Sequence, residues 1–277
     1  MYVVLIELLL IDDRKKKEGD IMRDIEEEIK KKLLEIEAKE SVKILLAVES
    51  GSRAWKVEST DSDYDVRFVY IRKTEEYLRI NPVKDHIDWQ LDEVFDINGW
   101  DVKKVLANVY KSNTTPFEWG KSQKIYIKDP LWDKIYENFA PYYNKKTAIY
   151  HYLGVAKSTY TKFLQGDKVK YKKYFYALRP LLTCRYIEEK NEVPPIEFDR
   201  LLDTDIKDEL RQAIDRLLMI KKDTKESDLN PQIPVILDFI KSEIEYHSEI
   251  LKHIESQSNV DITVLDKVFL DSLAVTF

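Results

Sequence analysis

Glycine is scarce in this sequence, with 6 glycines among 277 residues, about 2% where ~7% is typical. Neither GxGxxG nor GxxxxGK(S/T) occurs, so the glycine-rich loops of dinucleotide-binding folds and of P-loop enzymes are excluded. A phosphate site in this protein therefore has to rely on isolated glycines.

Cysteine is nearly absent, and the histidines are scattered. Cys184 is the single cysteine, which excludes an internal disulfide and a multi-cysteine zinc site and favours a cytoplasmic protein. It lies in an apolar helical pattern and is interpreted as a small core residue. No HExxH motif occurs, so zinc is not expected as a cofactor.

Long hydrophobic runs are also missing. The apolar stretch at the N-terminus ends at residue 11 and is followed by basic residues 14–17, whereas a membrane helix needs about 20 apolar residues and a signal peptide carries its positive charge first. No membrane partner is expected. Helical periodicity begins near Ile21, so residues 1–21 are interpreted as a mis-assigned upstream extension, with Met22 as a natural start.

Charge of one sign is not in excess, because 45 basic and 51 acidic side chains leave a net charge of −6. That balance excludes a general attraction to nucleic acid, so RNA would have to bind a local basic patch. Apolar residues make up 44% of the chain, enough for one or two packed cores.

The pattern of apolar residues divides the chain into two halves. Strand-like stretches at residues 42–48, 63–71 and 93–97 alternate with helical patterns in the first half, and helical patterns dominate after residue 131. We therefore predict an α+β fold. It comprises a catalytic domain over residues 22–130, with a short mixed sheet flanked by helices, and an all-helical domain over residues 140–277.

Chemistry is concentrated between Gly51 and Asp65. A hydrophobic strand ends at Gly51-Ser52, and a second strand opens with Asp63 and Asp65, which share one face because they are two residues apart. Two carboxylates held that way repel unless a cation lies between them, and Mg²⁺ combines such oxygens with those of a substrate phosphate. Gly51 allows a phosphate to approach the backbone closely, Ser52 offers a hydroxyl, and the following helix start offers N–H groups.

A third carboxylate would let a second ion activate the attacking hydroxyl. Asp96 is favoured because its apolar neighbours suit an inward-facing carboxylate on a strand. Three nearby acids in a more polar stretch are the alternatives: Asp88, Asp92 and Glu93.

These motifs resemble the signature of the DNA polymerase β-type nucleotidyltransferase superfamily, and more narrowly that of its YcgL and RNA-repair-ligase-associated group. The resemblance rests on residues 48–55, 59–70, 95–104, 113–119 and 172–180. It implies that Asp63, Asp65 and Asp96 are catalytic metal ligands and that Gly51 and Ser52 hold the triphosphate.

Four cations are candidates for contact with the nucleotide. Arg53 follows the Gly51-Ser52 pair directly, and Arg67 shares the strand face of Asp63 and Asp65, where it would meet a phosphate or neutralise the carboxylates. The resemblance favours Lys173 and Arg179 as cleft residues in the helical half, although Lys172 shares the helix face of Arg179 better.

The sequence thus predicts an enzyme that uses two Mg²⁺ ions, with Mn²⁺ as the substitute, to move a nucleoside monophosphate from a nucleoside triphosphate to an acceptor hydroxyl. The resemblance to an RNA-repair-associated group implies an RNA end as one acceptor, and a protein hydroxyl and a small molecule stay open as others. Two alternatives stay open: an inactive nucleotide- or RNA-binding protein with the same fold, and an antitoxin-like enzyme that modifies another protein.

Overall fold

The structure, a computed structural model, describes residues 25–223, 228–255 and 260–275. The predicted extension, residues 1–21, lies outside the described residues. Helix α1 covers residues 25–40, and Ile29, Leu33 and Ile36 are fully buried, because positions three and four apart share one helix face. This is the amphipathic helix that the sequence predicts.

A five-stranded mixed sheet is the centre of the N-terminal half. Its strands are β1 Val42–Glu49, β2 Tyr64–Arg72, β3 His86–Leu91, β4 Phe95–Asp101 and β5 Ile125–Lys128. The order is β3-β4-β2-β1-β5, with β2 parallel to β4 and the other neighbouring pairs antiparallel. The sequence pattern predicts β1, β2 and the start of β4 but misses β3 and β5, which are the half-exposed edge strands.

Gly99 lies inside β4 and not at its end. A Cβ at Gly99 would lie 2.3 Å from the ring of Phe68 on the neighbouring strand β2. The glycine is therefore required by the close approach of an aromatic ring and not by a turn.

Helices cover both faces of this sheet. Helix α1 packs on one face, where Val66, Phe68 and Tyr70 of β2 point. The opposite face, with Val69 and Ile71, is covered by four helices. These are α4 Val102–Tyr110, α5 Thr114–Lys121, α6 Pro130–Tyr136 and α12 Thr263–Val275. Two single-turn helices also occur, α2 Gly51–Ala54 and α3 Thr74–Tyr77. The α+β prediction is confirmed.

The C-terminal half has its own core, built around α7 and α8. Its helices are α7 Lys145–Phe163, α8 Lys172–Lys190, α9 Phe198–Leu201, α10 Asp208–Asp223 and α11 Pro234–His253. A two-stranded antiparallel sheet joins β6 Lys168–Lys170 to β7 Leu229–Pro231, which the prediction of an all-helical half did not include. Cys184 is buried in this core, as predicted.

The two halves are connected where the first half carries its glycine turn. Val57 lies in the core of the helical half, and Lys221 of α10 donates a hydrogen bond to the Val57 carbonyl. The backbone N–H of Phe198 donates to the Trp55 carbonyl at 2.9 Å. The turn at residues 51–57 is therefore bound to the helical half at both Trp55 and Val57. In the described part of the chain, no helix is long and apolar enough to cross a membrane.

Candidate active site

Asp65 and Asp96 lie directly opposite each other on two parallel strands. Asp65 of β2 is in register with Asp96 of β4, and Arg67 with Asn98. Because side chains alternate along a strand, these four polar residues share the face of Val69 and Ile71, which α4 covers farther along the strand. The register therefore groups these polar side chains at the end of that face that α4 does not cover.

Arg67 holds the two carboxylates together. Its Nη2 donates to Asp65 Oδ1 at 3.0 Å and to Asp96 Oδ2 at 2.6 Å, and its Nη1 donates to the Asp96 carbonyl at 2.6 Å. Asn98 Nδ2 donates to the other oxygen of Asp96 at 3.2 Å. The sequence left two roles open for Arg67, and this geometry is the one that neutralises the carboxylates.

The glycine turn lies against the same carboxylate. Gly51 has φ +58°, a left-handed conformation, and a Cβ there would lie 1.8 Å from Asp65 Oδ2. The backbone N–H of Ser50 donates to the Asp65 carbonyl at 2.8 Å, which fixes the turn to β2. Ser52, next along the turn, is buried. Only glycine combines this backbone conformation with this contact.

Glu49 supports the site from beneath, and the sequence interpretation missed it. It is 2% exposed. Its Oε1 accepts the Asp65 backbone N–H at 2.8 Å, and its Oε2 accepts the hydroxyl of Tyr126 on β5. The sequence does carry one sign of this role: Glu49 is a carboxylate at the end of the otherwise apolar strand β1, two residues before Gly51. Tyr126 gives no such signal, because its contact depends on the pairing of β1 with β5.

Burial raises the pKa of two carboxylates in this site, Glu49 and Asp65. Burial raises the pKa of Glu49 to about 7, with the hydrogen bonds from Tyr126 and Asp65 acting in the opposite direction. Burial also raises the pKa of Asp65 to about 6, the Arg67 charge opposes this, and the charges of Asp63 and Asp96 add to it. Asp63 and Asp96 thus both act on Asp65, and a further positive charge beside Asp65 would be stabilised.

The donor chemistry of the site fits a hard divalent cation. Asp63, Asp65 and Asp96 offer carboxylate oxygens, the ligands that Mg²⁺ prefers, and the pKa of Asp65 is raised mainly by burial and further by the charges of Asp63 and Asp96. Within the residues that the structure describes, no group of three His, Cys, Asp or Glu side chains is arranged as a finished metal site. Arg67 lies between Asp65 and Asp96, so both acids could bind one ion only after this guanidinium is displaced.

Arg53 braces the loop that leads to Asp63. Its Nε donates to the Asp63 carbonyl at 3.0 Å and its Nη2 to the Ser62 carbonyl at 2.6 Å. The guanidinium carbon is 3.9 Å from the centre of the Tyr64 ring. Arg53 therefore connects the glycine turn to the start of β2, and its predicted contact with a nucleotide stays a prediction.

Arg179 and Lys173 both lie near the end of the glycine turn. The guanidinium of Arg179, 4% exposed, is 4.6 Å from the Trp55 ring centre, and its Nη1 donates to Glu118 Oε1 of α5 at 3.3 Å. Lys173 Nζ is 4.9 Å from the Tyr176 ring, which meets the Trp55 ring edge-on. The structure thus places the buried Arg179 in an ion pair with the half-buried Glu118, between the two halves. Its predicted contact with the nucleotide remains untested.

The alternatives to Asp96 lie in other positions. Asp88 is opposite Asn98 on the edge strand β3, with an exposed side chain near His86. Asp92 accepts the backbone N–H groups of Val94 and Phe95, both at 2.8 Å, and so closes the turn between β3 and β4. Glu93 is exposed in that turn. Asp96 is the acid of this group that shares an arginine with Asp65.

Comparisons with known proteins show which family this chain is similar to. A family model described as RNA repair pathway DNA polymerase beta family matches residues 25–271. The uncharacterized protein YcgL of Bacillus subtilis is 38% identical over 247 residues, which cover 87% of this chain and 94% of that protein. The matched regions include both halves and every residue of the site.

Proposed function

The chain belongs to the RNA repair pathway DNA polymerase beta family, and we propose that it is a nucleotidyltransferase that moves a nucleoside monophosphate to an acceptor hydroxyl. The acceptor oxygen would form a bond to the α-phosphorus of a nucleoside triphosphate. The bond from that phosphorus to the bridging oxygen would break, pyrophosphate would leave, and the hydroxyl proton would pass to a carboxylate or to water. The observation that carries the proposal is the Gly51 turn packed against Asp65, which itself faces Asp96.

The glycine turn would bind the triphosphate. Gly51 leaves the backbone bare beside Asp65, and the first N–H groups of a helical turn have no acceptor within the turn. Those groups are free to donate to phosphate oxygens, together with the Ser52 hydroxyl. Because Ser50 and Asp65 are hydrogen-bonded through their backbones, phosphate bound on the turn would stay in a fixed position relative to the acids.

Asp63 and Asp65, with Asp96 on the neighbouring strand, would hold Mg²⁺, which would screen the triphosphate and lower the pKa of the acceptor hydroxyl. Arg67 would then release Asp65 and Asp96 and turn its guanidinium to phosphate, which matches its planar set of donors. Both roles that the sequence allowed for Arg67 would thus apply at different stages.

We propose an RNA end as the acceptor, because the family is described as belonging to an RNA repair pathway. An inactive binding protein is less favoured, because the acids that such a protein commonly loses are present. A protein acceptor would use the same acids and the same glycine turn. This alternative therefore differs from the RNA proposal only in the surface that would bind the acceptor.

The test is incubation of the purified protein with each α-labelled nucleoside triphosphate, Mg²⁺ or Mn²⁺, and either a defined RNA or a cell lysate. We expect label on RNA. Label on a lysate protein alone would identify the protein-modifying alternative. Nucleotide binding without transfer to any acceptor would contradict the enzymatic proposal.

A further inference from the structure

A groove on the helical half combines basic and aromatic side chains outside the proposed active site. It encloses about 1030 Å³ and lies between the end of α4, the exposed face of α7 and the end of α11. Lys111, Lys157 and Lys252 line it, with His151, and none of the described residues that line it is an Asp or Glu. We propose that this groove binds the single-stranded RNA whose end is the acceptor, an inference that rests on the proposed function.

The charge of this region differs from that of the rest of the chain. Residues 145–173 contain eight lysines and one acid, so this segment carries +7 while the whole chain carries −6. The other residues therefore carry −13. Helix α7 has four lysines and no Asp or Glu. Of these eight lysines, Lys157 lines the groove, and the others add a general attraction of this segment for a polyanion.

Two of the groove lysines are available to phosphates. Lys111 and Lys157 are exposed, and neither makes an ion pair within the described ranges, whereas Lys252 pairs with Glu249. Lys111 ends α4 and Lys157 lies on α7, so the two charges belong to separate walls of the groove. A strand between them could contact both through its phosphates.

Gly154 lies on the exposed face of α7 and lines the same groove. A glycine inside a helix costs about 1 kcal/mol relative to alanine, and a Cβ at this position would meet no atom within 4 Å. Packing inside the protein therefore does not require the glycine. A ligand that closely approaches the helix backbone would.

Tyr150 supplies a surface for stacking. Its side chain is 73% exposed, one helical turn before Gly154 on the same face of α7. Bases stack on such rings in single-strand-binding grooves, where nearby cations hold the backbone. The groove volume of about 1030 Å³ is at the upper end of the ~300–1000 Å³ of small-molecule pockets, so it has room for more than one nucleotide.

The test measures RNA binding in EDTA without nucleotide, so that it is independent of transfer. The probe is a fluorescein-labelled single-stranded RNA of about 12 nucleotides, within the ~4–16 that such grooves cover, followed by fluorescence anisotropy at several salt concentrations. The double variant Lys111→Glu/Lys157→Glu is compared with Lys134→Glu/Lys190→Glu, which makes the same charge change at exposed helix positions outside the groove.

We expect the groove variant to bind RNA at least about tenfold more weakly. Its slope of log affinity against log salt should be shallower by about 1.4, or ~0.7 per lost phosphate contact. The control should stay within about twofold of wild type. Tyr150→Ala should lose about fivefold or more with an unchanged salt slope, because a stacked base and not a phosphate contact is removed. Thermal unfolding checks that all variants are folded.

Several outcomes would overturn the assignment. These are no RNA binding by the wild type, equal losses in the groove and control variants, or tighter binding of duplex RNA or of single-stranded DNA of the same sequence. If the groove variants lose RNA binding but no transfer is ever seen, the groove stands and the proposed function fails. If transfer to RNA is seen and is unaffected by the groove variants, the proposed function stands and the groove assignment fails.

Discussion

The Asp65 carboxylate lies against the bare backbone of Gly51, with Oδ2 1.8 Å from the position that a Cβ on Gly51 would take. This contact joins the two halves of the sequence motif, the glycine turn after β1 and the acids that open β2. The proposed triphosphate site and the proposed metal ligand are therefore one unit, and a change at either residue should affect both.

Replacement of Gly51 by alanine should disrupt this unit. The left-handed φ of +58° costs a non-glycine residue about 1–2 kcal/mol, and the new Cβ would push Asp65 away from Arg67. We expect a loss of stability of about that size in urea unfolding and a loss of triphosphate binding in calorimetry. Gly154→Ala is the matched control and should stabilise the protein by about 0.5–1 kcal/mol. Unchanged triphosphate affinity in Gly51→Ala would contradict the site.

The acids should control metal binding and transfer. Asp65→Asn keeps the shape of the side chain but removes its charge, which acts on the metal and on the transition state. Mn²⁺ binding, measured by electron paramagnetic resonance, should therefore weaken, and transfer should fall by at least about 100-fold. Asp96→Asn should resemble it if Asp96 is the third acid. Asp88→Asn, on the neighbouring edge strand, should leave both readouts close to wild type, and a large loss there would move the third acid to Asp88.

Loss of the Arg67 cation should leave the site more negative. In Arg67→Met the pKa of Asp65 should rise further, because the Arg67 charge lowers it in the wild type. Without nucleotide, Mn²⁺ should bind more tightly, since no guanidinium competes for Asp65 and Asp96, while transfer should fall. Arg67→Lys should keep Mn²⁺ binding near wild type. Weaker Mn²⁺ binding in Arg67→Met would show that the guanidinium does not compete with the ion.

The stability of the metal-free protein should depend on pH through Glu49. Its pKa is about 7 in the folded protein and ~4.3 in an unfolded chain, so the folded state binds the extra proton between these values. The contribution is therefore fully present below about pH 4 and is lost as the pH rises through about 7. Asp65, with a folded pKa of about 6, acts in the same direction.

Glu49→Gln should remove the largest part of this dependence. The amide can still accept the Asp65 N–H, but it carries no charge to be buried. Above pH 7 we expect the variant to be more stable than the wild type by an amount on the order of 1–3 kcal/mol, with a flatter profile of Tm between pH 5 and 8. Asp92→Asn, at an exposed turn, is the control. A wild-type profile that rises through this range and is unchanged by Glu49→Gln would show that Glu49 is charged throughout.

Arg179 should contribute to stability through Glu118. The guanidinium also donates to the Ile196 carbonyl at 3.2 Å, and Glu118 Oε1 accepts the Tyr152 hydroxyl at 2.6 Å. Arg179→Met removes the cation from Glu118, whose side chain is 25% exposed, so it should destabilise the protein by about 1–3 kcal/mol. Arg179→Met/Glu118→Gln should lose less than the sum of its single variants. Additive losses, together with a specific drop in triphosphate affinity in Arg179→Lys, would instead support the predicted nucleotide contact.

Much of the site could be predicted from the sequence because its parts are local. Gly51 and Ser52 are adjacent, and Asp63 and Asp65 are two residues apart, with Asp63 directly before β2 and Asp65 inside it, so short spacing alone brings both acids to the start of this strand. Asp96 required a choice among four acids, and the parallel register that pairs it with Asp65 is a long-range property. The family that the motifs resemble is the one to which the chain belongs.

Other features depend on residues that are distant in sequence. Glu49 and Tyr126 meet only because β5 pairs with β1, and α12 packs on α4 and α6 although it lies far along the chain within the predicted second domain. The basic groove is built from three helices that are distant from one another in the sequence.

The sequence by itself determined the fold class, the family and the glycine and acid motifs, because these depend on side-chain period and short spacing. Only the tertiary structure decided which groups meet. It placed Arg67 between two carboxylates, buried Glu49 under Asp65 and enclosed Arg179 against Glu118. Burial and charge pairing depend on what packs around a residue, and strands and helices distant in the sequence supply that packing.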